Sequence, residues 1–320
     1  MGGGVGDPRS SRRPPPRRGP GPGGSRRSGG RRRPGGDRRT GPATRSRAAG
    51  RSGRRGTTPV RAGAGGPKGL GGDQVEGRQA VRELLLAGRR RVREVLLATD
   101  LDPVPILHDI IDLADEHKVP ISEVTRGRVD AVSRTESSQG VVALAEPLAS
   151  VDLLALAGPT AAGAPPFLLL LDGITDPGNL GAVLRSAECA GVTGVVLPRH
   201  RSAHITPAVT KAAAGAVEHL DMALVGGIPA ALRTLSEHDV WTVGLDAGGA
   251  ASVHDLPVAG EAVALVLGAE GPGLSRLVRR RCDTVASIPI SGAIESLNVA
   301  AAAAVACFEI ARIRGRAAAT

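Results

Sequence analysis

The sequence predicts an α/β protein whose larger part is a parallel sheet covered by helices on both faces. One sign is the alternation of short, continuously apolar runs with amphipathic stretches of helix length. The other is a set of three polar or glycine-rich turns, each placed where an apolar run stops and a helix starts. They are Asp176-Pro177-Gly178-Asn179-Leu180-Gly181, running on to Arg185 and Glu188, then Gly268-Ala269-Glu270-Gly271-Pro272-Gly273, then Ile288-Pro289-Ile290 followed by Glu295-Ser296-Leu297-Asn298. In an open parallel sheet such turns gather outside the carboxyl ends of the strands, where ligands bind. Three on one rim predict a small-molecule pocket.

The chain has 320 residues and a net charge of +10 that is unevenly spread. Residues 1–68 hold 18 Arg and one Lys against Asp7 and Asp37, a net +17, which leaves −7 for residues 69–320. Residues 1–72 read as a disordered basic tail, since Gly, Pro, Arg and Ser bury too little surface to offset their ordering entropy. Flexible arginines suit phosphate backbones, because neutralising phosphates releases counterions; a solubilising extension is the alternative. Abundant Pro and Gly argue against the amphipathic helix of a mitochondrial presequence, and no apolar region follows to make a secretory signal. No apolar run approaches the ~18 residues of a membrane span.

Residues 73–148 predict a small α/β domain, a size that suits recognition. Val81, Leu84 and Leu85 share a helix face that Gly88 can end. Val92–Ala98 is a strand, Ile106 to Leu113 a second helix, Val119–Val124 a strand, Val129–Val132 a short helix and Val141–Ala145 a strand. Arginines at 89, 90, 91, 93, 126, 128 and 134 give the domain basic patches, each of which is also explained by a solvated surface. Residues 149–166 read as a linker. In residues 167–320 the strands are Phe167–Leu171, Val192–Leu197, Met222–Val225, Val240–Leu245, Val263–Leu267 and Thr284–Ile288. Helices are predicted near 179–190, 206–217, 228–237, 274–281 and 296–312.

Composition narrows the function classes. Cys189, Cys282 and Cys307 are far apart, form no CxxC, and fit buried small hydrophobes in a reducing compartment such as the cytoplasm. His200 and His204 have helical spacing but lack neighbouring ligands, so no metal site is predicted. Phe167, Trp241 and Phe308 are the only aromatic residues, which argues against stacking platforms for single-stranded RNA. The glycine turn at 268–273 lacks the Lys-Ser/Thr pair of a phosphate-binding loop. It comes too late for a dinucleotide fingerprint, and its carboxylate favours a ligand with hydroxyl or ammonium donors. Taken singly, the polar residues have ordinary explanations: Arg185 and Glu188 as an i,i+3 ion pair, Asn179, Ser296 and Asn298 as helix caps. Taken together, at helix entrances of one sheet, they are less easily explained that way.

The wording of these three segments resembles the SpoU family of RNA ribose 2′-O-methyltransferases, in the SPOUT superfamily, over roughly residues 75–315. The nearest subgroup resembles the bacterial guanosine-2′-O-methyltransferases of 23S ribosomal RNA. Glu76-Gly77-Arg78-Gln79-Ala80-Val81 and Gln139-Gly140-Val141-Val142-Ala143 carry the likeness in the small domain, which the family uses to bind RNA substrate. The resemblance implies a trefoil-knotted C-terminal domain and a homodimer. Its S-adenosyl-L-methionine would lie along Gly268, Ile288 and Leu297, with Gly271 and Pro289 nearby. Ser138, Ala213, Ile290 and Ala300 depart from the family's usual wording, and the first two bear on which RNA is the substrate.

Methyl transfer from a sulfonium needs an in-line nucleophile and no metal, and the ribose hydroxyl is a weak nucleophile until its proton leaves. On this resemblance Arg185 meets the 2′-oxygen and the adjacent phosphate. Electrostatic stabilisation suits it better than general base chemistry, because a guanidinium holds its proton so tightly. Asn179, Glu270, Ser296 and Asn298 would orient the arginine and the substrate. Transfer RNA as substrate, a catalytically silent RNA-binding or ribosome-assembly protein, and an ordinary nucleotide-dependent enzyme are the alternatives; the missing phosphate fingerprint counts against the last.

Overall fold

A computed structural model describes residues 69–200 and 204–318. The basic tail up to residue 68 lies outside the described residues. The small domain begins with β1 (Gln74–Glu76), α1 (Arg78–Ala87), β2 (Val92–Ala98) and α2 (Pro105–Glu116) and continues with β3 (Ile121–Val124), α3 (Arg126–Val132) and β4 (Val141–Ala145). Its four strands lie in the order β1-β4-β2-β3, with only β2 and β3 parallel. Val81, Leu84 and Leu85 of α1 pack against Val95, Ile110 and Val141 in one core, and Gly88 ends α1 in the left-handed conformation that glycine adopts without steric cost.

Glu76 is fully buried yet satisfied. Its carboxylate accepts from Gln74 Nε2 (2.7 Å), Arg134 N (2.6 Å), Thr135 N (3.1 Å) and Thr135 Oγ1 (2.5 Å), which pins the segment before Gln139 onto β1. A buried carboxylate persists only with such a set of donors.

The stretch read as a linker holds a short helix, α4 (Leu153–Ala157), capped by Asp152. There follow β5 (Phe167–Leu171), α5 (Pro177–Cys189), β6 (Gly194–Pro198), α6 (Pro207–Ala212), β7 (Met222–Val225), α7 (Ile228–Glu237), β8 (Trp241–Leu245), β9 (Ala251–Ser252), β10 (Val263–Leu267), α8 (Arg276–Arg281), β11 (Thr284–Ser287) and α9 (Val299–Ala318). The strands form one parallel sheet in the order β7-β6-β5-β10-β8-β11-β9. Alternate residues of β5 enter two cores. Phe167, Leu169 and Leu171 join α5 and α9 on one face, while Leu168 and Leu170 join α4, α7 and α8 on the other. That two-sided burial is why the strands read as unbroken apolar runs.

The differences from the predicted elements lie at short pieces and ends. β1 and β9 are three and two residues long, too short for a period to show. The last helix starts at Val299 and not at 296, because Asn298 Oδ1 accepts from the amides of Ala300 (2.9 Å) and Ala301 (3.4 Å) as its cap. Leu70 to Gly72, counted with the tail on composition, pair with Ile205, and Leu70 is buried in the larger domain's core. Among the described residues no helix is long and apolar enough to cross a membrane, and no group of three metal-ligating side chains occurs.

Candidate active site

The loops after β8, β10 and β11, with the start of α9, enclose a cleft of about 530 Å³. That volume lies in the range of small-molecule and cofactor sites. Leu245, Leu267, Ile288 and Val299 give it an apolar floor, and Gly268, Gly271, Ser296 and Leu297 form its rim. Pro289 sits between two lining residues, Ile288 and Ile290. Asp246 and Glu270 are its carboxylates, and none of the described residues lining it is cationic. Asp246 is already paired with Arg279, which leaves Glu270 as the carboxylate that can meet a ligand with positive charge or hydroxyl donors.

The glycine turn is folded tightly back on itself. Ala269 N donates to Gly273 O (3.1 Å) and Gly273 N to Ala269 O (3.0 Å). At Gly268 an added Cβ would lie 2.1 Å from the Gly273 carbonyl carbon and 2.3 Å from Leu274 N, a backbone crossing that no side chain can enter.

Beside this cleft the three turns meet. Asp176 caps α5 by accepting from Asn179 N (2.7 Å), which leaves the Asn179 side chain to reach outward. Asn179 Nδ2 donates to Glu270 Oε1. Asn298 Nδ2 donates to Asn179 Oδ1 (3.0 Å) and, more weakly, to Glu270 Oε1 (3.4 Å). Sequence spacing had offered capping as a sufficient role for both asparagines. In the fold Asn298 does cap α9, and its amide nitrogen makes the cross-link as well.

Arg185 lies on α5 six residues after Asn179, a rise of roughly 9 Å along the helix, and does not line the cleft. It is exposed and makes no hydrogen bond or ion pair with any described residue. The i,i+3 ion pair with Glu188 does not form; Glu188 lies against the thiol of Cys189 instead. With no carboxylate among the described residues paired to it, the Arg185 guanidinium is available to an anionic ligand.

Asp246 was not singled out from the sequence. Its signal was there, since Leu245-Asp246-Ala247-Gly248-Gly249 is a fourth polar and glycine-rich turn at a strand's carboxyl end. Burial pushes the Asp246 carboxyl up, but hydrogen bonds from Arg279 and from the Gly248 and Leu274 amides outweigh it and hold the group below the usual carboxylate range.

Fold and site together define an α/β enzyme with a small-molecule cleft on the rim of its parallel sheet. Residues 166–308 match the SpoU rRNA Methylase family. Residues 74–151 match the RNA 2′-O ribose methyltransferase substrate-binding family. The chain belongs to the SpoU family of RNA methyltransferases. It is 36% identical over 211 residues to the 23S rRNA (guanosine-2′-O-)-methyltransferase RlmB of Vibrio vulnificus, covering 66% of this chain and 83% of that one. With the RlmB of Xylella fastidiosa it shares 42% over 214 residues, 65% of this chain and 84% of the relative. The SpoU methyltransferase AviRb from Streptomyces viridochromogenes, solved in complex with the cofactor AdoMet, has the same fold. Its TM-score is 0.63 at 24% identity, over 76% of this chain and 90% of AviRb.

Proposed function

We propose that this protein transfers a methyl group from S-adenosyl-L-methionine to a ribose 2′-hydroxyl of RNA, the target being a guanosine of 23S ribosomal RNA. The observation that carries this reading is the Asn179–Glu270–Asn298 cluster, which joins the rim of the cleft to the start of α5, the helix that carries Arg185. S-adenosyl-L-methionine, a sulfonium with an ammonium group, would supply the activated methyl carbon, and a cleft with no cationic lining residue and with apolar Leu245, Leu267, Ile288 and Val299 fits both its charge and its adenosine. Gly268, Gly271, Ile288, Pro289 and Leu297 would hold it through backbone groups and apolar contact.

The remaining work falls to the chain's side chains. Arg185 attracts the phosphate beside the target ribose and stabilises negative charge growing on the 2′-oxygen as the hydroxyl proton passes to solvent water. Asn179, Asn298 and Ser296 orient the ribose, with Glu270 fixing both asparagine amides so that little reorganisation is needed. The knotted threading and the homodimer belong to the same reading. Phe308, 50% exposed, and Val305 on α9 offer an apolar face for a second copy. The partition into tail (1–72), RNA-binding domain (73–148), linker (149–166) and methyltransferase domain (167–320), and a cytoplasmic site of action on ribosomal RNA, belong to the same reading.

Mapping 2′-O-methyl groups in RNA from a deletion strain tests the reading. Loss of one guanosine methylation in 23S RNA, restored by the wild-type gene, is expected. Loss confined to transfer RNA would move the substrate class. No loss, with no cofactor binding by calorimetry, would leave a silent RNA-binding protein.

A further inference from the structure

We infer that the RNA-binding domain is clamped to the methyltransferase domain by Arg90, and that this clamp fixes the span between the RNA element gripped and the ribose methylated. The inference rests on the function proposed above. The chain crosses between the domains twice, entering the small domain past Gly72 and leaving it past Glu146. One guanidinium ties both crossings to the far domain. Arg90 Nη1 donates to the carbonyls of Gly72 and Glu146, while Nε and Nη2 take the two carboxylate oxygens of Glu218 at 2.8 and 2.6 Å. The two side chains are only 7% and 1% exposed.

A loose tether would leave these groups in water. Burying a charged pair is favourable only when geometry and remaining hydrogen bonds are nearly complete, and a bidentate fork onto a carboxylate is the most orientation-specific of such pairs. Neighbouring contacts hold the same joint. Arg89 donates to the Glu218 carbonyl and pairs with Asp221, Glu83 meets His219 at 3.0 Å, and Lys211 donates to the Ser137 carbonyl. At Gly215 an added Cβ would lie 2.4 Å from Glu83 Cβ, so α1 is seated against the turn that carries Glu218. Val217, beside Glu218, shares a core with Leu180 and Leu184 of α5. The clamp thus registers the small domain against the helix that carries Arg185. Arg90 and Glu218 are positioning residues: they touch no substrate and set the distance at which it is presented.

The test uses the full chain with spin labels at Asp112→Cys on α2 and Glu237→Cys on α7 in a Cys189→Ser background, diluted with unlabelled protein. A single narrow distance is expected, and a broad distribution would overturn the clamp. That readout does not depend on activity, so a narrow distance in a protein that methylates nothing would keep the clamp and remove the proposed function. Arg90→Lys and Glu218→Gln retain most of the packing. They should broaden the distance, lower kcat/KM for the target RNA by ~tenfold, add methylation at neighbouring riboses, and leave the Kd for S-adenosyl-L-methionine unchanged. Folded variants that methylate the same single ribose at the wild-type kcat/KM would sink the idea. If neither variant folds, the wild-type distance distribution decides.

Discussion

Asn298 donates its side-chain amide to the side-chain oxygen of Asn179 across 3.0 Å, joining the entrances of α9 and α5 over 119 residues of sequence. Both amides also converge on Glu270 Oε1. The carboxylate therefore sets the orientation of two polar groups that the sequence places far apart.

That relationship separates two substitutions. Asn298→Ala loses both the cap and the cross-link, so it should cost about 1 kcal/mol of stability as well as transfer activity. Asn298→Asp keeps the oxygen that caps α9 but sets a second carboxylate against Glu270. Its melting temperature should stay near wild type at neutral pH while methyl transfer falls. Equal melting temperatures for the two variants would rule out the capping role.

Arg185→Ala should lower methyl transfer by roughly 10²–10³-fold, the range for removing one preorganised group that stabilises developing charge. Because Arg185 is outside the cleft, calorimetry should find cofactor affinity unchanged. A variant that methylates RNA at the wild-type rate would remove Arg185 from the mechanism.

Gly268→Ala should abolish cofactor binding with the rest of the fold intact. The added methyl would meet the backbone of Gly273 and Leu274, and neither can move without opening the turn closed by Ala269 and Gly273. Isothermal titration with S-adenosyl-L-methionine checks this, with circular dichroism as the control for folding.

Acid stability should depend on Asp246. Its carboxyl is held below the usual range in the fold, so its contribution is fully present above the unfolded value near ~3.9. It is lost as pH falls through the lower folded value. As pH falls below about 4, wild type should therefore lose more stability than Asp246→Asn in thermal melts. Parallel curves would show that the Arg279 contact contributes nothing.

Cys282 and Cys307 should resist alkylation at pH 8 until the chain unfolds. Burial pushes both thiols up to about 12, leaving almost no thiolate to react. Mass spectrometry after iodoacetamide treatment should show modification at the exposed Cys189 ahead of either. Rapid native labelling of Cys307 would contradict its place in the core.

Much of the fold was legible in the sequence. Val263–Leu267 reads as a strand because both its faces are buried, and the observed β10 has those bounds. Helix α5, predicted near 179–190 with Asn179 as its cap, starts at Pro177 with Asp176 as the cap instead, since Asp accepts from the free amides and Pro suits the first turn. What escaped was short or long-range. β9 is two residues long, and α4 is a single capped turn inside a stretch of Ala, Gly and Pro. Asp246 escaped because its partner Arg279 lies 33 residues further on. The Arg185–Glu188 pair, the ordinary alternative to a functional role for Arg185, does not form, because helical spacing permits that contact without requiring it.

By itself the sequence determined the strands and helices, their order, the three turns on one rim, and membership of the SpoU family. These follow from local chemistry: apolar period, caps, and glycine where the backbone must turn or cross. The tertiary structure alone decided which distant groups share a partner. It brought Asn179 and Asn298 to Glu270, drew Asp246 into the cleft wall, left Arg185 without a partner among the described residues, and buried Arg90 against Glu218. Those pairings depend on the order in which strands join the sheet, and no periodicity along the chain encodes that order.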